Sequence, residues 1–160
     1  MESKRGVKIG GIMQNTDLAM IGVMSAPDRP GVARAIMDSL GQNGINVEFI
    51  VQCIDLNDLS NVVFCVKDVL TDRTLKLLEE VQRAVGAERV VVTRDVAILS
   101  IFGPDFRQRP GIAGAMFTTL AEQGINILAI STSISTVSCV ILAEHLNDGV
   151  QAIRDAFELP

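Results

Sequence analysis

Asp28, Arg29, Pro30 and Gly31 stand where an apolar run, TDLAMIGVM, gives way to a helical pattern, and Asn46 and Gln52 follow in the next apolar run. Together these residue types could hold a free amino acid. A loop entering a helix presents backbone N–H groups that have no partner within the helix, and these suit a carboxylate. Glycine at position 31 lets a ligand approach the backbone closely. Asp28 could grip an ammonium group, while the amides of Asn46 and Gln52 can both donate and accept. Each residue also has a structural use: Asp28 as a helix cap, Pro30 in a first helical turn, Asn46 as a helix stop.

The chain writes this stretch twice. SAPDRPGVARAIMDSLGQNGIN begins at Ser25, and PDFRQRPGIAGAMFTTLAEQGIN ends at Asn126. Pro30-Gly31 maps onto Pro110-Gly111 and Gly44-Ile45-Asn46 onto Gly124-Ile125-Asn126, both with an offset of 80 residues. Between Arg29 and Asn46, nine of 18 positions recur without a gap, which points to duplication. Core packing alone does not explain why Pro-Gly at a strand-to-helix turn and Asn at the start of the next strand were kept.

The elements that must position these residues follow from the apolar period. A strand over Thr16–Met24 is ended by APDRPG, and a helix follows with Val32, Ala35, Ile36 and Leu40 on one face until Asn43-Gly44 stops it. Strands Ile45–Ile54 and Ser60–Lys67 form a hairpin across DLNDL. A second helix starts at Thr71-Asp72, carries Leu75, Leu78, Val81 and Val85, and ends at Gly86, and ERVVVTRD is a fourth strand. The second half supplies VAILSIFG, a helix from Gly111 to about Gln123, strands INILAISTSI and VSCVILAE, and a last helix through LNDGVQAIRDAFEL. The fold class predicted is α+β: two ferredoxin-like βαββαβ units with antiparallel sheets and both helices on one face. The second half lacks a fourth strand and the N-terminus has a surplus one, VKIGGIMQN. The expected organisation is therefore a first unit over 16–95 and a second over 96–160, whose sheet is completed by strand 7–15, so that the halves interleave.

Composition narrows the function. The 160 residues are 48% hydrophobic and 21% charged, enough apolar material for a core, and the formal charge of −5 with no Lys/Arg cluster speaks against nucleic-acid binding. No signal-peptide core and no apolar membrane span is evident, so a cytoplasmic chain is expected, without membrane partners. Cys53, Cys65 and Cys139 lie in apolar runs and are expected to be buried, reduced thiols. With His145 the only histidine and no C-x-x-C pair, no zinc site is expected. There is no Gly-Lys-Ser/Thr phosphate loop and no Cys–His pair, so neither a catalytic centre nor a cofactor is expected in this chain.

PDRPGVARAIMDSLGQNGINV resembles the signature of the ACT domain, a small amino-acid-sensing module of ferredoxin-like topology. The order PDRPG, GINVEFIVQ, RPG, GINILAISTS is similar to the tandem ACT regulatory region of aspartate kinase, over nearly the whole chain from Val7 to Phe157. The resemblance implies effector contacts from Asp28, Arg29, Pro30, Gly31, Asn46, Val47 and Gln52. In the second half it implies Arg109, Gly111, Ile112, Asn126, Ile127, Ser131 and Ser133. It further implies feedback inhibition by threonine or lysine, a homodimer with units placed edge to edge, and an aspartate kinase catalytic domain or subunit as partner. VKIGG has a passing likeness to the Lys-x-Gly-Gly opening of the catalytic domain, but Ile12-Met13 follow where small hydroxyl residues belong. Gln108 stands opposite Asp28 in the repeat, and Ile134 stands where the family often has Glu. A lysine effector would want a carboxylate, so threonine is favoured. Other readings are a sensing or dimerisation module of another enzyme, or a small ferredoxin-like enzyme using Asp28, Arg109 and Glu48.

Overall fold

The computed structural model describes residues 6–104 and 106–160. Six strands and four helices follow in the order β1 (Gly11–Pro27), α1 (Val32–Gln42), β2 (Phe49–Ile54), β3 (Leu59–Lys67), α2 (Thr71–Val85), β4 (Arg89–Phe102), α3 (Ile112–Glu122), β5 (Ala129–Thr132), β6 (Thr136–Leu142) and α4 (Leu146–Ala156). Two compact units result: Asp17–Asp95, and the chain through Thr16 together with Val96–Pro160.

β1 and β4 correct the expected element count. Each was expected as two strands, VKIGGIMQN with TDLAMIGVM and ERVVVTRD with VAILSIFG, yet each is continuous and gives one part to each unit. No Pro or Gly breaks the chain at either passage. Instead Asp17 and Asp95 take left-handed φ angles of 59° and 54° at the points where the strands change unit. Aspartate tolerates that region better than most residues because its short carboxylate can bond locally.

In the unit Asp17–Asp95 the strand order is β2-β3-β1-β4, with β2–β3 and β3–β1 antiparallel. Its core joins Ile21 and Val23 of β1, Val62 and Phe64 of β3, Ile36 of α1 and Leu78 of α2. The α1 stripe is Val32, Ile36 and Leu40, with Ala35 only partly buried. In α2, Thr71 and Thr74 join Leu78, Val81 and Val85 in the interior while Leu75 is partly buried. The Thr74 hydroxyl is satisfied by donating to the Leu70 carbonyl at 2.8 Å.

In the other unit the order is β1-β4-β6-β5, with β4–β6 and β6–β5 antiparallel. Here β1 stands next to β4, and the residues just before it join the unit. Ile9 packs in one core with Leu99, Met116, Cys139 and Ile153, and the Gly10 N–H donates to the Phe102 carbonyl at 2.6 Å. Gly11 is where β1 passes the Phe102 ring, for a Cβ there would lie 2.7 Å from it. Gly149 of α4 serves a similar end, since a Cβ would meet Leu99 at 3.0 Å and Leu120 at 3.4 Å. The chain end is tied in as well: Glu158 N–H donates to Val7 O and Ile9 N–H to Glu158 O, at 3.0 and 3.1 Å.

The hairpin strands begin later than the apolar pattern suggested, at Phe49 and Ala129 rather than Ile45 and Ile125. The reason is the helix end. Gly44 and Gly124, both at φ 69°, close α1 and α3, and the Ile45 and Ile125 N–H groups are spent on Leu40 and Leu120 carbonyls. Cys53 is a second correction, being exposed whereas Cys65 and Cys139 are buried. It lies on β2, which pairs on one side only within its sheet, so one edge of the apolar run FIVQCI meets solvent. Among the described residues no helix is long and apolar enough to cross a membrane.

Candidate functional site

The loop from Asp28 to Gly31 joins β1 to α1 and is exposed throughout. Gly31 is the residue before the helix and has φ 106°, a conformation that only glycine adopts without strain. A Cβ at Gly31 would meet nothing within 4 Å, so the backbone angle alone demands glycine there. No side chain caps α1. The Asp28 carboxylate is therefore not spent on the helix, contrary to its structural alternative, and the first-turn N–H groups have no side-chain cap. Asn46 is not the helix stop either, because Asn43 and Gly44 perform that role three and two residues earlier.

The other expected contacts separate into two groups. Arg29 is anchored, its Nη2 donating to the Ala84 carbonyl in the last turn of α2 at 2.8 Å. That carbonyl is among those the helix cannot satisfy itself, and the cation also suits the helix C-terminus. Gln52 lies on β2 opposite Val62, and its Nε2 donates to the buried Ser60 hydroxyl at 2.8 Å, which leaves Oε1 as acceptor. Ser60 stands opposite Ala26, just before the loop, so Gln52 shares the Asp28 end of the unit. Asn46 and Val47 do not. Helix α1, eleven residues long and thus about 16 Å, carries the chain from the Asp28 loop to the opposite end before Asn46 is reached. There the Asn46 Nδ2 donates to Glu48 Oε1 at 3.3 Å.

The second unit repeats this division. Gly111 has φ 94° and opens α3 without a side-chain cap, Arg109 is exposed just before it, and Ile112 is buried as the first core residue of the helix. Asn126 and Ile127 follow the C-terminal end of α3, again about a helix length away. Ser131 is opposite Ser138 on β6, and Ser138 shares a 2.7 Å hydroxyl bond with Ser100 of β4. Ser133 sits in the β5–β6 turn, where its N–H donates to Thr136 O at 2.8 Å and its Oγ accepts the Ser135 N–H at 3.3 Å. The Gly103 N–H donates to Ser135 O, which ties this turn to the chain leaving β4.

Two residues beside the first loop escaped the sequence reading. Asp55 and Asn61 bracket the β2–β3 turn and bond to each other at 3.4 Å. The pattern Asp-x-Asn-Asp after a strand is a turn signal that could have drawn attention to them. A groove of about 380 Å³ between α1 and α2, lined in part by Asp38, Ser39, Gln42 and Glu80, includes none of the expected contacts.

ACT-domain families match residues 19–86 and 99–157. The aspartate kinase of Pseudomonas putida is 35% identical over 158 residues, which is 99% of this chain and 38% of that protein. The aspartokinase of Thermus thermophilus is 33% identical over 94% of this chain and again 38% of its own length, so the chain spans well under half of such relatives. Among solved structures, the ligand-free regulatory subunit of aspartate kinase from Thermus thermophilus aligns with a TM-score of 0.85 at 31% identity, covering 94% of this chain and 99% of that one. A chain from a structure of aspartokinase alpha and beta subunits aligns with a TM-score of 0.85 at 32% identity, covering 92% and 97%. Two ACT units that share their β1 and β4 strands, each opening its first helix behind a left-handed glycine, and matching a regulatory subunit almost end to end, place this chain in the family of tandem ACT regulatory regions of aspartate kinase.

Proposed function

We propose that the chain senses a free amino acid and conveys its presence to an aspartate kinase catalytic domain or subunit in the cytoplasm, as a feedback-inhibition module. Threonine is the favoured effector and lysine the second candidate. The observation that carries this reading is the pair of uncapped helix N-termini behind Gly31 and Gly111, with the Asp28 carboxylate exposed beside one of them. Backbone N–H groups there can receive an α-carboxylate, Asp28 the α-ammonium, and Gln52 Oε1 a side-chain hydroxyl. Gln108 in the place of Asp28, and an exposed Ile134 in the second turn, make those two positions poorer in the anionic groups that a lysine side chain would want.

A homodimer is part of the same reading. The distance between the Asp28 and Asn46 ends of one unit supports it, because two copies set antiparallel along β2 would bring one copy's Asn46 end beside the other's Asp28 end. Ile50 and Ile54 on that strand are 40% and 41% exposed, an apolar edge suited to such pairing. Thermal melts with threonine, lysine, methionine and a non-cognate amino acid test the sensing. A cognate ligand at 100 times its Kd raises stability by about 2.7 kcal/mol. Identical melting temperatures in all four would remove the proposal, and a monomer by sedimentation with ligand bound would remove its dimeric part.

A further inference from the structure

The ladder between β1 and β3 pairs Leu18 with Lys67 through Val23 with Val62, then resumes with Ala26 opposite Ser60. Met24 and Ser25 therefore face one residue, Asn61, in a β-bulge, and Ser25 takes φ 56°. Its N–H, displaced from the ladder, donates to Asn61 Oδ1 at 3.0 Å. The Asn61 Nδ2 in turn donates to Asp55 Oδ2 at 3.4 Å and to the Leu59 carbonyl at 3.3 Å. Asp55 Oδ1 accepts the N–H groups of Asn57 and Leu59, at 2.8 and 3.2 Å, which shapes the turn that carries Asp58. The Asp58 carbonyl then accepts the Asp28 N–H at 3.1 Å. The circuit closes: the segment Ser25–Asp28 is fastened at both ends to the same hairpin turn.

The second unit lacks the device. Its β4–β6 ladder runs from Val96 opposite Leu142 to Phe102 opposite Thr136 with no shift in register. Thr136 holds the place of Asn61, since Val137 faces Ile101 as Val62 faces Val23.

We propose that Asn61, acting with Asp55 through the bulge at Ser25, is a positioning residue that preorganises the Asp28–Gly31 loop for its ligand. Neither side chain is among the expected ligand contacts. A bulge redirects the strand that carries it, and here the redirected residues deliver Asp28 and the helix N-terminus. The amino-acid ligand itself rests on the function proposed above.

The test uses the whole chain with Asn61→Thr, which installs the residue the second unit carries, and the double variant Asn61→Asp/Asp55→Asn. The double variant exchanges acceptor and donor, so that an acceptor for the Ser25 N–H and an amide–carboxylate pair are both kept and only the 3.3 Å bond to the Leu59 carbonyl is given up. Amide exchange at Ser25 and Asp28 reads the loop, exchange at Phe64 in β3 reads the fold, and calorimetry with threonine reads the site. In Asn61→Thr, Ser25 and Asp28 should exchange faster and the threonine Kd should rise about fivefold to tenfold, the worth of one hydrogen bond. Phe64 should stay protected, and the double variant should return all readings to near the parent values. Unchanged exchange and affinity in Asn61→Thr, or a folded double variant that does not recover, would overturn the positioning role. If the parent binds no amino acid, sensing fails on its own, and exchange at Ser25 and Asp28 still decides what Asn61 does.

Discussion

Asp28→Ala separates a ligand contact from a helix cap. The carboxylate is exposed and makes no capping bond to α1, and the one bond that fastens residue 28, its N–H to the Asp58 carbonyl, belongs to the backbone and survives the change. The cost in stability should therefore stay within the roughly 0.5 kcal/mol typical of surface substitutions, against about 1 kcal/mol for a lost cap. Affinity should respond far more. A hydrogen bond between a carboxylate and an α-ammonium is worth about 1.5–3 kcal/mol, so threonine binding should weaken roughly 10- to 150-fold. Gln108→Ala, at the matching place in the second unit, removes no charge and should cost less. Calorimetry and a thermal melt on the same preparation suffice to decide. A lowered melting temperature with intact affinity would refute the reasoning and make Asp28 a structural residue. In an assembled kinase the variant should also lose feedback inhibition, since an effector acts only through its differential affinity for the inhibited state.

Three further outcomes are expected. A thiol reagent should label Cys53 alone in the folded chain and Cys65 and Cys139 only after denaturation, because burial pushes both of those thiols up to about 12; fast labelling of all three would contradict the packing of β3 and β6. Gly11→Val should destabilise the unit containing Val96–Pro160 by about 1–3 kcal/mol through collision with the Phe102 ring, measured as faster amide exchange in β6, whereas unchanged β6 protection would mean that β1 does not close that sheet. The backbone N–H of Asn57, then that of Leu59, and the Asn61 amide hold the Asp55 carboxyl below its ordinary value of 3.8. A depressed folded value means a contribution fully present above pH 3.8 and lost as pH falls through the folded value, so the Asn57 and Leu59 amides should lose protection in that acid window, and Asp55→Asn should flatten the response.

Much of the fold was legible because its punctuation is chemical. Pro-Gly before a helix, Gly-Ile-Asn after one, and the repeat of both at a fixed offset predicted α1 and α3 to within a residue or so. The surplus N-terminal strand and the missing last one were the marks that set the segment before Asp17 apart from the stretch that follows it, and β1 stands beside β4 in the sheet. The continuity of β1 and β4 was not legible, since a left-handed Asp17 or Asp95 leaves no mark in an apolar period. Cys53 was misread because alternation reports which residues face a core, not whether a strand has a neighbour on its outer side. The loop residues Asp28 and Gly31 stood out by type and spacing. Asn61 did not, for a bulge exists only relative to a partner strand and has no local signature.

The shared β1 strand has a consequence for how the chain is born. The segment leading into it and its first residues are made before the rest of their unit, and the residues that share their core, from Ala97 to Phe157, are made later. At a synthesis rate of about 5–20 residues per second, Ile9 and Ile12 wait on the order of ten seconds for their partners. The stretch Asp17–Asp95 is continuous in sequence and brings its own core residues together, from Ile21 to Ala87. Order of assembly is thus the reverse of order of appearance for that segment, whose apolar residues stay uncovered until the Val96–Pro160 stretch has been made.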